Sequence, residues 1–89
     1  MNITVLRTKL GYDDHCQPVA RLYLRFGSRE LRIVQFEPSM VFQLLNAIDL
    51  PDWESLTGVT CRYESNENST GRLGHLVRDT WFQVEERNE

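Results

Sequence analysis

The chain has 89 residues, of which 40% are hydrophobic and 26% charged, and its formal net charge is −3. A chain of this length buries only about 60–65% of its unfolded surface, so we expect a single domain over residues 1–89. No apolar run approaches the roughly 18 residues that a membrane span needs, and polar residues interrupt Met1–Leu10, unlike a signal peptide. We therefore expect a cytoplasmic protein without a membrane partner, and its acidity makes nucleic acid an unfavourable partner.

Two β-strands open the predicted fold. Asn2–Leu10 begins with β-branched and apolar residues, which favour a strand, and Gly11–Pro18 is rich in turn-forming residues. Val19–Phe26 alternates strictly between apolar and polar residues, which is typical of a strand with one buried face. The residues on its polar face are Arg21, Tyr23 and Arg25.

A tight hairpin is predicted to join this second strand to a third. Gly27 and the serine after it match a two-residue type II′ turn, in which glycine takes the first central position. Such a turn sets the register of Arg29–Glu37 and places Leu24 opposite Leu31. Arg32 then lies on the exposed face, because a slip of one residue would turn it into the core.

One helix and two further strands complete the predicted order. Apolar residues recur with helical spacing after Pro38, and Pro51 ends the helix. This apolar stripe consists of Val41, Leu44, Leu45 and Ile48. Val59–Ser65 and Arg72–Arg78 then have the composition of strands, and Trp81–Val84 closes the domain.

The order β-β-β-α-β-β predicts an α+β domain. Five antiparallel strands in so short a chain have to curl strongly, and we expect a half-open barrel with the single helix plugging one side. An open sheet of this kind keeps an exposed edge strand, which would allow a homodimer through sheet extension.

The two cysteines, Cys16 and Cys61, are too few for the disulfide scaffold of a small secreted domain. We expect two reduced thiols in a reducing cytoplasm. A bridge between them would require the strands to bring the two positions together.

One stretch gathers metal-capable side chains: Asp13, Asp14, His15 and Cys16, with His75 as a distant candidate ligand. Structural zinc sites usually show paired spacings such as C-x-x-C, and this sequence has none. We expect the two aspartates to shape a turn by accepting hydrogen bonds from their own backbone, with no metal and no cofactor. A small metal- or ligand-binding module centred on this loop is the alternative.

The sequence does not favour an enzyme. Nucleophilic catalysis would need a cysteine beside a base such as His15 or His75, and a chain this small has little wall to exclude water. His75 is expected on the fifth strand, where it would share a half-buried face with Leu73 and Val77.

The cations are dominated by arginine, with nine arginines and one lysine. Arginine suits protein interfaces, and an aromatic residue flanked by arginines is typical of interface anchors, although it can also stack single-stranded bases. Net acidity and the scarcity of lysine favour a protein partner. The predicted partner-binding residues are Arg21, Tyr23, Arg25 and Arg32 on the sheet, with Asp13, Asp14 and His15 in the loop.

Three motifs resemble those of a family of small, mostly uncharacterised proteins encoded by bacteriophages and prophages. They are LG-x-DDH at residues 10–15, WE-x-L-x-G at residues 53–58, and GH-x-x-x-D-x-WF at residues 74–82. The resemblance implies an accessory protein of host takeover or counter-defence. Such a protein would bind a bacterial host protein stoichiometrically and inhibit it, as anti-CRISPR proteins inhibit a defence complex.

Overall fold

A computed structural model describes residues 1–66 and 68–87 of the chain. These ranges contain six β-strands, one short α-helix and two 3₁₀-helices. The strands are β1 (Asn2–Tyr12), β2 (Pro18–Phe26), β3 (Glu30–Phe36), β4 (Thr60–Ser65), β5 (Thr70–Gly74) and β6 (Trp81–Arg87). The helix is α1 (Val41–Ala47), and the 3₁₀-helices are Pro38–Met40 and Glu54–Leu56.

The strands form a closed antiparallel ring in the order β1-β2-β3-β6-β5-β4. Two meanders, β1–β3 and β4–β6, meet along two short seams of three residue pairs each, between β1 and β4 and between β3 and β6. The predicted antiparallel sheet with one helix is confirmed, but the ring has six strands rather than five and is not half-open. Every strand has a neighbour on both sides, so the described chain offers no complete edge strand of the kind that would allow a homodimer through sheet extension.

The sixth strand exists because the predicted fifth strand ends early. β5 stops at Gly74 rather than continuing to Arg78, and β6 follows after a turn. The His75 side chain organises that turn, since its Nδ1 accepts hydrogen bonds from the backbone N–H groups of Val77 and Arg78, at 3.1 Å each. The expectation that His75 and Val77 share a half-buried strand face is therefore wrong, and Val77 is 85% exposed.

The hairpin between β2 and β3 differs from the predicted register by one residue. Residues 27–29 form a three-residue turn in which Gly27 has a φ of 62°, so Leu24 pairs with Arg32 rather than with Leu31. Because side chains alternate along a strand, this difference inverts β3. Leu31 is 62% exposed, whereas Val34 is fully buried. Arg32 shares the inward-facing side of β3 with Val34.

A bulge at Leu6 reverses the alternation of β1. Val5 pairs with Leu24 but Arg7 pairs with Tyr23, so the extra residue lies between them. Without the bulge, Arg7 would lie on the same inner face as the buried Val5. The bulge therefore shifts the alternation of side chains after Leu6 by one residue, so that Arg7 points outward.

The helix packs its apolar stripe into the interior of the ring. Leu44, Leu45 and Ile48 are buried, as the spacing predicted, and Val41 is partly buried against them. Regular α-helix ends at Ala47, four residues before Pro51, where the sequence predicted its end. No helix in the described ranges has the length and apolar character that a membrane crossing requires.

A polar cluster closes the end of the ring where β3, β4 and β6 meet. Glu86 Oε2 accepts hydrogen bonds from the Tyr63 hydroxyl at 2.6 Å, from Arg32 at 3.0 Å and from Ser65 at 3.2 Å. Arg32 also forms an ion pair with Glu30 at 3.0 Å. Burial, followed by the hydrogen bond to Glu86, raises the pKa of the Tyr63 phenol. Tyr63 therefore remains a hydrogen-bond donor at neutral pH.

The two cysteines are free and occupy contrasting environments. Cys16 is exposed in the loop after β1, while Cys61 is buried in the core. Burial raises the pKa of the Cys61 thiol to about 12. The reactive thiolate of Cys61 is therefore scarce near neutral pH.

This difference predicts selective thiol chemistry. At pH 8 the folded protein should react with one equivalent of Ellman's reagent, at Cys16, and the denatured protein with two. The raised pKa and the burial of Cys61 both act in this direction. Mass spectrometry after alkylation of the native protein identifies the modified residue, and rapid labelling of Cys61 would contradict the prediction.

Candidate functional site

The outer surface of β1, β2 and β3 carries cations grouped around one tyrosine. In one row across the strands, Arg7 pairs with Tyr23 and Tyr23 pairs with Ile33. In the next row, Lys9 pairs with Arg21. We define the basic face as Arg7, Lys9, Arg21, Tyr23, Arg25, Leu31 and Ile33.

The centre of the basic face lies on β2 and follows from the alternation of its side chains. Leu22 and Leu24 are fully buried, so the residues between and beside them point outward. The structure brings together Arg21, Tyr23 and Arg25, as the sequence pattern indicated. These three residues form a continuous outward-facing column.

Four cations of the basic face form no ion pair with any residue in 1–66 or 68–87. They are Arg7, Lys9, Arg21 and Arg25. The Nε atom of Arg21 is buried and has no hydrogen-bond partner in the described part of the chain, which costs free energy in the unbound protein. Lys9 and Arg21 are like charges on directly opposite strand positions, which adds repulsion. The basic face thus carries positive charge that the described residues do not compensate.

The opposite side of the ring uses its arginines differently. On the outer surface of β4–β6, the Trp81 ring lies over Gly74, and the guanidinium groups of Arg62 and Arg72 lie 4.5 and 4.1 Å from its centroid. Arg72 forms an ion pair with Glu64 at 2.5 Å, and Arg62 donates to two loop carbonyl oxygens at 2.6 and 2.5 Å. Both arginines therefore have hydrogen-bond acceptors within the fold, a carboxylate for Arg72 and backbone carbonyls for Arg62. The clustering of four cations without ion pairs to described residues is found on the β1–β3 side.

A groove of about 870 Å³ lies between one edge of the basic face and the polar cluster, which contributes Glu30, Arg32, Ser65 and Glu86 to its lining. Leu6, Leu31 and Ile33 contribute apolar walls, and the guanidinium of Arg7 lies over the Tyr23 ring at 4.1 Å from its centroid. The groove therefore combines apolar contact area with both cations and carboxylates, whereas Lys9, Arg21 and Arg25 lie outside its lining. Mixed apolar and polar contact area of this kind is found at protein-binding surfaces.

Arg32 does not belong to the basic face, contrary to the prediction from the sequence. Its guanidinium lies over the Phe26 ring at 4.5 Å and forms ion pairs with Glu30 and Glu86. The reason is the inverted register of β3, which turns Arg32 toward the end of the ring's interior. Its charge is compensated, and we assign it to the polar cluster.

The predicted loop of Asp13, Asp14 and His15 forms a hydrogen-bonded turn. Asp13 Oδ1 accepts hydrogen bonds from the backbone N–H groups of His15 at 2.8 Å and Gln17 at 3.0 Å. The bond from Gln17, followed by that from His15, lowers the pKa of the Asp13 carboxyl. Asp14 lies 3.7 Å from the guanidinium of Arg87. The loop is thus linked to β6, close to one end of the basic face.

In the described part of the chain, no group of metal-donor side chains supports the alternative of a metal-binding module. Within residues 1–66 and 68–87, no group of three or more His, Cys, Asp or Glu side chains is arranged to hold a metal ion. The Nδ1 atom of His75 accepts hydrogen bonds from backbone N–H groups of its own turn. The Oδ1 atom of Asp13 likewise accepts hydrogen bonds from backbone N–H groups.

Sequence reasoning missed Arg7 and Lys9 as members of the candidate site. Strict alternation from the buried Ile3 and Val5 would place both cations in the core, and this conflict was the available signal for a bulge. A bulge at Leu6 resolves the conflict by moving both cations to the outer surface.

Comparison with protein-family models, with curated proteins and with solved structures finds no match to this chain. The resemblance to phage-encoded proteins therefore stays a prediction from the three motifs.

Proposed function

We propose that the protein is a non-catalytic binding module that holds an acidic surface of a partner protein on its basic face, in a one-to-one complex. The observation that carries this proposal is the clustering of Arg7, Lys9, Arg21 and Arg25 without ion pairs to the described residues, in a chain of net charge −3. Carboxylates of a partner would supply the charge-assisted hydrogen bonds that these cations lack in the free protein.

A protein partner is favoured over single-stranded nucleic acid by the surroundings of Tyr23. A base stacks on an open aromatic face, whereas Arg7 already covers the Tyr23 ring. Leu6, Leu31 and Ile33 line the same groove and suit apolar side chains, which occupy the centres of protein interfaces.

The three motifs support a more specific proposal about the partner. Their resemblance to motifs of phage-encoded proteins favours a partner in the cytoplasm of a bacterial host. Within that class, it favours a component of a defence complex, such as a CRISPR effector. Binding at the basic face would then inhibit that complex. Fold and motif similarity transfer function only by analogy, so the partner has to be identified directly.

The test is affinity capture from a bacterial lysate with the wild-type chain and the double variant Arg21→Glu/Arg25→Glu. We expect the wild type to retain one protein in near-equimolar amount, and the double variant to bind it about 100-fold more weakly, since each tenfold loss corresponds to about 1.4 kcal/mol. Binding should also weaken as salt is added, because the Debye length falls from about 10 Å at 0.1 M to about 3 Å at 1 M.

The control is Arg78→Glu, which makes one such charge reversal away from the basic face, in the turn between β5 and β6. In the described part of the chain the Arg78 side chain forms one ion pair, an exposed one with Asp49, so its loss should affect folding little and leave capture unchanged. Equal retention by the wild type and the double variant would refute the proposal. Retention that nuclease treatment abolishes would assign the basic face to nucleic acid instead.

A further inference from the structure

A cleft opens in the ring where β3 and β6 separate. The two strands pair only from Ile33 opposite Arg87 to Gln35 opposite Glu85. Beyond Gln35, β3 soon leads into the 3₁₀-helix that starts at Pro38, whereas β6 remains paired with β5 back to its first residue. The resulting cleft has a volume of about 450 Å³.

The backbone of β6 presents unpaired groups to this cleft. The N–H of Glu86 donates to the carbonyl of Ser69 at 2.8 Å, so even-numbered residues of β6 direct their backbone groups to β5 and odd-numbered residues direct theirs to β3. A continued ladder would pair Gln83 with Glu37, but β3 ends one residue earlier. Gln83 has no backbone partner on that side among the described residues.

The cleft has an apolar floor and an acidic rim. Phe36, Phe82 and Val84 point inward from the two strands, with the two phenylalanine rings edge-to-face at 5.0 Å. The acidic residues that line the cleft are Asp13, Glu37 and Glu85. No lysine, arginine or histidine lines it within residues 1–66 and 68–87.

From this geometry we infer a second binding site that takes an extended peptide of alternating cationic and apolar residues. The peptide adds as a strand whose backbone pairs with Gln83. Because side chains alternate, its apolar residues point inward onto Phe36 and Phe82, while its lysine or arginine residues point outward toward Glu37 and Glu85. The charge of this site is opposite to that of the basic face, and the inference does not depend on the proposed function.

The test uses the capped pentapeptide KVKVK as the probe, with ¹⁵N-labelled full-length protein followed by NMR. We expect saturable shifts of the amide signals of Gln83 and its neighbours on β6. The peptide EVEVE should give no such shifts, because the acidic rim repels it. N-methylation of the central lysine of KVKVK should weaken binding about tenfold, through loss of a backbone hydrogen bond.

Two glutamates provide matched variants, since each lies at the start of a 3₁₀-helix and is exposed. Glu37→Gln should weaken KVKVK binding about threefold, whereas Glu54→Gln, outside the cleft, should not change it. The variant Arg21→Glu/Arg25→Glu should bind the probe as the wild type does, which separates this site from the basic face. Absence of saturable shifts, equal binding of the N-methylated peptide, or equal effects of the two glutamate variants would overturn the inference.

Discussion

Replacing Gly71 by alanine is expected to destabilise the protein by about 3 kcal/mol, at the upper end for overpacking a core. A Cβ atom at Gly71 would lie 2.9 Å from Cε1 of Tyr63 and closer still to its phenol oxygen. Tyr63 has no room to move, because it is 2% exposed, packs edge-on against Phe26 at 5.3 Å and donates to Glu86. Urea denaturation followed by circular dichroism measures the loss.

The control for this prediction is Gly11→Ala, on β1. A Cβ atom at Gly11 meets only the Lys9 side chain, at 3.9 Å, so the stability should change by no more than about 0.5 kcal/mol. Both glycines are strand residues, and the two substitutions reduce backbone freedom alike. Equal losses of stability in the two variants would show that contact with Tyr63 is not the cause.

Arg32→Ala is the second substitution with a large expected effect, and it should lower the free energy of unfolding by about 2 kcal/mol. It removes the cation that pairs with Glu86, whose side chain is 16% exposed, and leaves this carboxylate with the Tyr63 and Ser65 hydroxyls as its hydrogen-bond partners among the described residues. Removing the cation from an ion pair in a largely buried position leaves an uncompensated carboxylate, which strongly destabilises the folded protein. The loss of stacking on Phe26 acts in the same direction.

Arg25→Ala is the matched control, because Arg25 is an exposed arginine on the neighbouring strand without an ion pair to the described residues. Its removal should change the free energy of unfolding by no more than about 0.5 kcal/mol. The register predicted from the sequence places both arginines on the outer surface and so implies equal, small effects. Thermal and urea denaturation of the two variants therefore distinguish the two registers.

The sequence predicts the elements of the first meander better than their register. Strict alternation in β2 is a local signal, and it places Leu22, Leu24 and the outward cations correctly. The register of β3 depends instead on whether the turn after Phe26 uses two residues or three. Glycine suits both turns, so the local sequence does not separate them.

The burial of Arg32 could not be derived from the strand itself. When the hairpin is considered alone, the register that pairs Leu24 with Leu31 is favoured, because it leaves Arg32 exposed to solvent. The actual register is stabilised by Glu86, which is 54 residues away in the chain, and by Tyr63 and Ser65. Contacts at such separation are not visible in a pattern of neighbouring residues.

The sixth strand depends on two features that periodicity does not report. His75 accepts hydrogen bonds from the next turn, which ends β5 although the following residues are apolar. Trp81 then lies across Gly74, where the absence of a side chain leaves room for the indole ring. The candidate site was predicted in part, since the cations of β2 follow from alternation and those of β1 require the bulge at Leu6.

The arginines on the outer surfaces of the two meanders differ in their internal contacts, and this difference affects which substitutions the protein can tolerate during evolution. Substitutions at Arg62, Arg72 or Trp81 break contacts that the scaffold needs, so this half is expected to tolerate little variation. Among the described residues, Lys9, Arg21 and Arg25 on the outer side of β1 and β2 form no ion pair, and only Arg7 stacks on a ring there, that of Tyr23. Substitutions at Lys9, Arg21 and Arg25 are therefore expected to alter the charge of this surface with little loss of folding stability.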